Sequence, residues 1–156
     1  TSFAPAAINY TNAKFVILKT YHECLATDYA APTAIHALLL SLIASSDKFE
    51  KSHPKWVKLV RDILNDRWNE QIPLLEIADL AQVHPVTVSK YFPQYFKCTL
   101  GQYIRKVRID KATHLLRCPN LSLTEIAYQC GFFDQSHFIR VFKQITGFHP
   151  KEYRKL

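Results

Sequence analysis

The amino-acid sequence predicts an all-α protein in which one helical unit occurs twice. Apolar residues recur at a spacing near 3.6 residues, which is typical of helices that bury one face. Signals for strands are scarce, because the chain holds only 3 glycines and no Asn-Gly or Asp-Gly pair for a hairpin turn. The segment after Pro73 also repeats itself further along the chain, and such a repeat predicts two structural units of one kind.

Length and composition exclude several classes of protein. With 156 residues and 48% hydrophobic content, the chain can bury one or two small cores, so we expect a folded protein. Apolar runs such as Ala37–Leu40 are far too short to cross a bilayer, and the first 30 residues lack a signal-peptide pattern. Because the chain begins at Thr1 and contains no Met, we expect a fragment or a processed product.

The positive charge is concentrated in the last part of the chain. Of the formal net charge of +7, residues 1–52 contribute zero, residues 53–89 contribute −1 and residues 90–156 contribute +8. A basic half beside a neutral half indicates an anionic partner such as nucleic acid. The alternative is a solvated basic surface that keeps the protein in solution.

The cysteines and histidines show no pattern of a metal site. Four cysteines occur without any Cys-x-x-Cys pair, which argues against a zinc knuckle or a redox pair. Cys130 lies among apolar residues and is interpreted as part of the packing. The seven histidines lack metal-ligand spacing. We therefore expect no metal, no cofactor and no enzymatic activity.

Two helices are predicted before residue 50 and a third after it. The first spans 12–27 and the second, opened by Pro32, spans 33–45. A polar stretch, SSDKFEKSHP, follows, and Ser52 with Pro54 then opens the third helix. The predicted apolar face of the first helix is formed by Phe15, Leu18, Tyr21 and Leu25. That of the second helix is formed by Ile35, Leu38, Leu39, Leu42 and Ile43, and that of the third by Trp56, Val57, Val60, Ile63, Leu64 and Trp68.

The repeat has two matching parts. LLEIADLAQV at 74–83 matches LTEIAYQCGF at 123–132 with an offset of 49, and FPQYFKCTLGQYIRK at 92–106 matches FKQITGFHPKEYRK at 142–155 with an offset of 50. One residue has thus been gained between the two parts, near Phe133. We expect it in a loop, where insertions disturb a fold least.

Each copy predicts a helix, a tight turn and a second helix. The first helices span about 74–82 and 123–130. The second helices begin at His84-Pro85 and Asp134-Gln135, where Asp is a good N-cap and Pro suits the first helical position. This is the helix-turn-helix pattern, with units at about 74–96 and 123–144. A linker helix of about 100–117 joins the two units, and its predicted packed face is Tyr103, Ile104, Val107, Leu115 and Leu116.

The second helix of each unit has one apolar face and one outward face. The predicted inward residues are Val88, Tyr91 and Phe92 in the first unit and Phe138, Val141 and Phe142 in the second. The predicted outward residues are Val86, Ser89, Lys90 and Pro93 in the first unit and Gln135, Ser136, Ile139, Arg140 and Lys143 in the second. Because Pro93 lacks an N–H and its ring crowds the preceding turn, we expect the first of these helices to kink or end near Phe92.

The second copy, IAYQCGFFDQSHFIRVFKQITGFHPKEYRK, resembles the signature of the AraC/XylS family of transcription regulators. The resemblance covers about residues 53–156. The first copy departs from the signature at Gln82, His84, Pro93 and Lys97. The resemblance implies a sequence-specific, double-stranded DNA-binding regulator that inserts two recognition helices into successive major grooves of a promoter or operator.

The resemblance also implies roles for the outward residues, whose alternative role is simply to form a solvated helix face. The candidates for reading bases are Val86, Ser89, Lys90, Gln135, Ser136, Ile139 and Arg140, with guanine expected opposite Arg140 and adenine opposite Gln135. The candidates for contacting phosphates are Thr87, Arg105, Lys106, Lys111, His137, Lys143, Lys151, Arg154 and Lys155.

Residues 53–156 are accordingly expected to form the DNA-binding domain, and residues 1–52 the helical end of a truncated upstream sensor or dimerisation domain with its linker. Ile35, Leu39 and Leu42 then face another subunit, or else pack on their own chain. Expected partners are promoter DNA, RNA polymerase, a second copy bound through the upstream domain, and an effector, if any, bound by the missing part. The expected location is the bacterial cytoplasm, at the nucleoid.

Two other functions compete with this one. The chain could be the DNA-binding module of a larger DNA-repair enzyme whose catalytic part lies elsewhere. It could also be a helical array that binds proteins, although an array would explain the repeat and not the concentration of positive charge in one half.

Overall fold

The computed structural model describes residues 6–26, 31–46 and 53–156. Over these residues the chain forms nine α-helices and no strand, which confirms the all-α prediction. None of the helices in this described part is both long and apolar enough to cross a membrane. The helices are α1 (Ala6–Ala26), α2 (Ala31–Ser46), α3 (Lys55–Asp66), α4 (Leu74–Leu80), α5 (Pro85–Phe96), α6 (Leu100–Leu115), α7 (Leu123–Gln129), α8 (Gln135–Thr146) and α9 (Pro150–Tyr153).

The chain divides into two compact units. The middle unit is Ser52–Phe138 and holds α3 to α7 with the first turn of α8. The terminal unit combines Thr1–Lys51 with Ile139–Leu156 and holds α1, α2, the rest of α8 and α9.

In the terminal unit, α1 packs against α2 and touches the segment after α8. The His22 ring meets the Phe148 ring edge-on with centroids 4.9 Å apart, and Phe148 is buried. Of the predicted apolar face of α1, only Phe15 is buried, whereas Tyr21 and Leu25 are exposed, so the prediction was wrong for these two. Tyr21 lies at the margin of the contact, with its ring 6.1 Å from that of Phe148.

On α2, the apolar face that was predicted to pack on this chain or on another subunit is incompletely covered. Ile35 is half-buried and Leu39 is 43% exposed. Leu42 lies outside the residues whose side chains are described. Packing of α2 against α1 therefore leaves part of the predicted face open.

In the middle unit, α3 buries Val57, Val60 and Leu64, which share one face because they are spaced by three and four residues. The helix begins directly after Pro54, and the predicted cap Ser52 lies outside the described residues. It ends at Asp66, before the predicted Trp68.

The predicted repeat is present in the backbone as well as in the sequence. The Val83 N–H donates to the Ala78 carbonyl, and the Phe132 N–H donates to the Ala127 carbonyl 49 residues later, both at 3.0 Å. Each copy has a left-handed residue in its turn and another after its second helix. These pairs are Gln82 (φ 55°) with Gly131 (φ 70°), and Lys97 (φ 54°) with Gly147 (φ 89°). Gln82 and Lys97 therefore adopt the glycine-like conformation of their equivalents, at some cost in backbone energy.

Of the two outcomes predicted for α5, a kink or an end near Phe92, the end near Phe92 was wrong. The helix continues through Pro93 to Phe96, and the Lys97 N–H donates to the Pro93 carbonyl at 2.9 Å. Phe92 and Phe96 are both buried, and their rings stack with centroids 4.2 Å apart. Because these aromatic anchors lie on either side of Pro93, their packing outweighs the hydrogen bond that proline removes.

The linker helix α6 starts at a capping box, in which Thr99 accepts from the Gln102 N–H and the Gln102 side chain accepts from the Thr99 N–H. It ends at Leu115, two residues before the predicted Arg117. Tyr103 and Leu116 are buried as predicted, but Ile104, Val107 and Leu115 are only half-buried. The buried set also includes Arg108, Ile109, Ala112 and Thr113, because α6 contacts three helices, α3, α5 and α7.

Arg108 is a buried cation of the middle unit with three backbone partners. It is 7% exposed, and its guanidinium donates to the carbonyls of Trp68 at 2.8 Å, Glu70 at 2.8 Å and Gly131 at 2.6 Å. Gln71 Nε2 donates to the same Gly131 carbonyl at 2.9 Å. Burial lowers the pKa of Arg108 from its ordinary value, yet arginine stays charged in proteins. This Arg108 clamp joins the loop after α3 to the turn that precedes α8.

Gly131 is required where the clamp closes. Its φ of +70° disfavours a side chain, and an added Cβ would lie 2.9 Å from the Asn69 carbonyl carbon and closer still to its oxygen. The clashing atoms are backbone, so a side chain cannot swing away to relieve the overlap.

We expect Gly131→Ala to lower the free energy of unfolding by about 3 kcal/mol, combining backbone strain with the overlap at Asn69. Gly101→Ala is the control, since Gly101 lies inside α6 and its added Cβ would make only an ordinary contact, 3.6 Å from Arg105. That change should be neutral or stabilise by about 0.5 kcal/mol. Urea unfolding of both variants measures the difference, and equal stabilities would contradict the tight approach at Gly131.

Candidate nucleic-acid interface

Helix α5 presents the predicted outward residues of the first unit. His84 caps the helix, since its Nδ1 accepts from the Val86 N–H at 3.3 Å. Val86 is 57% exposed and Ser89 and Lys90 are also exposed, whereas Thr87 is half-buried. These residues share one side because Val88 and Phe92 are fully buried on the other.

Tyr91 departs from the prediction that it points inward. It is 39% exposed, and Lys90 Nζ lies 5.4 Å from the centre of its ring. The buried face of α5 is filled by Val88, Phe92 and Phe96, which leaves Tyr91 at its margin. The contact with its ring helps to orient the Lys90 ammonium.

Helix α8 opens with the cap that the sequence predicts. Asp134 Oδ1 accepts from the His137 N–H at 2.6 Å. Gln135 and His137 are half-buried and Ser136 is exposed. The His137 ring meets the Phe132 ring edge-on, with centroids 5.5 Å apart.

The remainder of α8 has buried apolar residues on one face and exposed cations on the other. Val141 and Phe142 are buried, like Phe138 before them. Arg140 and Lys143 are exposed, and Ile139 is half-buried. Arg140 is the equivalent of Lys90 at the offset of 50 residues, so both helices expose a cation at the same position.

Gln135 has a partner that sequence analysis missed. The hydroxyl of Thr124, the second residue of α7, donates to Gln135 Oε1. Thr124 precedes the capping-box residue Glu125, whose pKa is lowered by hydrogen bonds from Ser122. Nothing in the local sequence marks Thr124, because the contact spans 11 residues and depends on how α7 crosses α8.

The predicted phosphate contacts differ in accessibility. Arg105 and Lys106 on α6 are half-buried, whereas Lys111, Lys151, Arg154 and Lys155 are exposed. Lys111 Nζ lies 6.0 Å from the centre of the Trp68 ring. Arg108 is the one α6 cation that is buried, and it lies at the four-residue spacing between Ile104 and Ala112. A cation on an apolar helix face indicates a buried hydrogen-bond partner, and this was the sequence signal that could have identified Arg108.

Cys130 conforms to the packing interpretation, whereas Cys24 and Cys118 are exposed. Cys130 is fully buried, and burial raises the pKa of its thiol to about 11. Among the residues described by the structure, no group of three or more His, Cys, Asp or Glu side chains could hold a metal ion.

Comparison with known proteins identifies the family. Residues 77–156 match the model of a helix-turn-helix domain family. The HTH-type transcriptional activator RhaS of Enterobacter sp. (strain 638) is 34% identical over 92 residues, which are 59% of this chain and 33% of that protein. RhaS of Escherichia coli O9:H4 (strain HS) is 30% identical over 118 residues, 76% of this chain and 42% of that protein. The chain thus spans less than half the length of these relatives.

Solved structures share the fold. The C-terminal domain of AraT, a response regulator from Geobacillus stearothermophilus, superposes with a TM-score of 0.62 at 26% identity, covering 67% of this chain and 88% of that one. The DNA-binding domain of AdpA, solved in complex with a target DNA, gives 0.60 at 22% identity, covering 65% and 92%. A probable AraC family regulator from Rhodopseudomonas palustris CGA009 gives 0.61 at 22% identity, covering 65% and 96%.

These relatives are transcription regulators, and they give no support to the alternative of a DNA-repair enzyme. The match of the family model to residues 77–156 agrees with the repeated helix-turn-helix geometry and with the signature in the second copy. The chain belongs to the AraC/XylS family of transcription regulators and carries its all-α, double helix-turn-helix DNA-binding domain.

Proposed function

We propose that this chain binds double-stranded promoter DNA by inserting α5 and α8 into two successive major grooves. The observation that carries the proposal is the equivalence of the two helices. Each follows the same turn, anchors on buried apolar side chains and exposes a cation at the same position, Lys90 or Arg140. The major groove is wide enough for a helix and presents a distinct pattern of donors and acceptors for each base pair.

The exposed residues at the start and centre of each helix are assigned to base edges. Arg140 can donate two hydrogen bonds to guanine, and Lys90 can reach the same acceptors as a point charge. Val86 and Ile139 suit a thymine methyl group. Ser89, Ser136 and Gln135 supply hydrogen-bonding groups beside them.

A second set of residues is assigned to phosphates, where contacts position the protein without specifying sequence. Thr87 and His137 occupy the first turns of α5 and α8, and each has a side chain that can donate a hydrogen bond to a phosphate oxygen. The cations of this set are Arg105 and Lys106 on α6, Lys111 beside them, Lys143 on α8, and Lys151, Arg154 and Lys155 at the C-terminal end.

The partners of the whole protein follow from the same proposal. Residues 53–156 act as the DNA-binding domain, and residues 1–52 as the end of an upstream sensor or dimerisation domain. A second copy and any effector would bind through that upstream part, and RNA polymerase would be contacted at the promoter. The protein would then act in the bacterial cytoplasm, at the nucleoid.

The first test is a footprint. The 16 residues of α6 give a helix ~24 Å long, a length compatible with recognition helices set one DNA turn of ~34 Å apart. One monomer should protect two successive major grooves from hydroxyl-radical and methylation probes. Lys90→Ala should weaken protection of one groove and Arg140→Ala that of the other. Protection confined to one groove in the unmodified protein would contradict the proposal.

The second test separates base contacts from phosphate contacts. Arg140→Ala should cost about 1–3 kcal/mol on a selected site and relax specificity at one base pair. Lys151→Ala should weaken binding to selected and random DNA equally. It should also reduce the salt slope, which is the dependence of the logarithm of the binding constant on the logarithm of salt concentration, by about one unit.

Lys58→Ala is the matched control for this second test, because Lys58 is an exposed cation on α3 that the proposal places away from the DNA. Its affinity and salt slope should stay near those of the unmodified protein. Titrations at graded salt measure all three variants. If Arg140→Ala weakened binding to selected and random DNA alike, its role at a base edge would be wrong.

A further inference from the structure

The contact between Thr124 and Gln135 affects what the second recognition helix can read. Gln135 is the first residue of α8, and its amide oxygen accepts a hydrogen bond from the Thr124 hydroxyl on α7. Both residues lie at the surface of the middle unit, Thr124 exposed and Gln135 half-buried. In the structure without DNA, this hydrogen bond orients the glutamine amide with its oxygen toward Thr124.

The orientation of the amide decides which of its hydrogen-bonding groups Gln135 presents away from α7. A glutamine side chain carries one carbonyl oxygen, which accepts, and one NH₂ group, which donates two hydrogen bonds. The two groups point in different directions from the same carbon. With Oε1 held toward Thr124, the Nε2 hydrogens are the groups presented away from α7.

Adenine and guanine differ in what they require of a glutamine. The bidentate pair with adenine needs the amide oxygen to accept from N6 while the nitrogen donates to N7. Guanine presents two acceptors, N7 and O6, on the same edge and needs donors only. An oxygen turned toward Thr124 is poorly placed to accept from adenine N6 while the nitrogen donates to N7, so this orientation favours guanine over the adenine pairing that the sequence suggested.

We propose that Thr124 is a positioning residue that holds Gln135 as a hydrogen-bond donor, so that Gln135 selects guanine rather than adenine. The proposal rests on the proposed function, because it assigns Gln135 to a base edge. The Thr124–Gln135 pair occurs in the second helix-turn-helix unit and has no equivalent in the first. At the same offsets the first unit has Leu75, which is 66% exposed, and Pro85, and neither side chain can make this hydrogen bond.

The experiment starts with selection of bound sequences from random double-stranded DNA. Gln135→Ala, selected in parallel, identifies the base pair that Gln135 reads as the position where preference is lost. The unmodified protein should prefer guanine over adenine there by about tenfold, a ratio within the discrimination expected of a good side-chain pair. Failure to select any DNA sequence would overturn the proposed function itself, whereas a preference for adenine would overturn only the role of Thr124.

Thr124→Val removes the hydroxyl at nearly constant shape, and Thr124→Ser retains it. Competition titrations on the guanine and adenine sites should show that Thr124→Val loses most of the tenfold preference, while Thr124→Ser keeps it. In the Gln135→Ala background, Thr124→Val should have no further effect on the ratio, because the two residues act as one unit.

A phosphate contact by the Thr124 hydroxyl would give a different result. Thr124→Val would then weaken binding to the guanine and adenine sites equally and leave their ratio unchanged, with or without Gln135. That outcome would overturn the positioning role. Circular dichroism of each variant confirms that α7 and α8 stay folded, so that a changed ratio reports on recognition.

Discussion

The hydrogen bonds of Arg108 hold together the parts of the middle unit that sequence separates. One guanidinium satisfies three backbone carbonyls, two in the loop after α3 and one at Gly131 in the turn before α8. A buried charge is costly unless it is fully hydrogen-bonded, so the loss of one of these contacts would destabilise the others. The interaction also explains why glycine occupies position 131, since any Cβ there would meet the backbone of Asn69. A recognition surface that is set before binding loses less entropy when DNA arrives.

The two helix-turn-helix units show how one backbone design tolerates different residues. In the second unit the left-handed positions are Gly131 and Gly147, whereas the first unit places Gln82 and Lys97 there with the same sign of φ. The first unit has room for side chains at these positions, since Gln82 and Lys97 are both exposed. Its other irregularity, Pro93, is accommodated by buried phenylalanines on both sides.

Much of the fold was predictable because its signals are local. The offset repeat, the Asp134 cap and the apolar spacing of Phe138, Val141 and Phe142 each depend on nearby residues, and the structure bears them out. The errors arose where distant parts of the chain meet. The continuation of α5 past Phe92 and the exposure of Tyr21 depend on packing that periodicity does not encode.

The candidate site was predictable to a similar degree. Helical periodicity identified which side chains face outward, because the opposite face is buried. It did not identify the orientation of Gln135, since that depends on Thr124 in another helix.

We infer that the Arg108 clamp, by fixing the turn before α8 on the loop after α3, allows both recognition helices to bind DNA together. This inference is tested most directly by the affinity of Arg108→Met for a selected two-groove site and for the same site with one half scrambled, with circular dichroism to verify folding. The unmodified protein should gain strongly from the second half-site, and the variant should lose about tenfold or more of that gain while it keeps its affinity for the single half-site. If Arg108→Met gained as much affinity from the second half-site as the unmodified protein, this role of Arg108 would be contradicted.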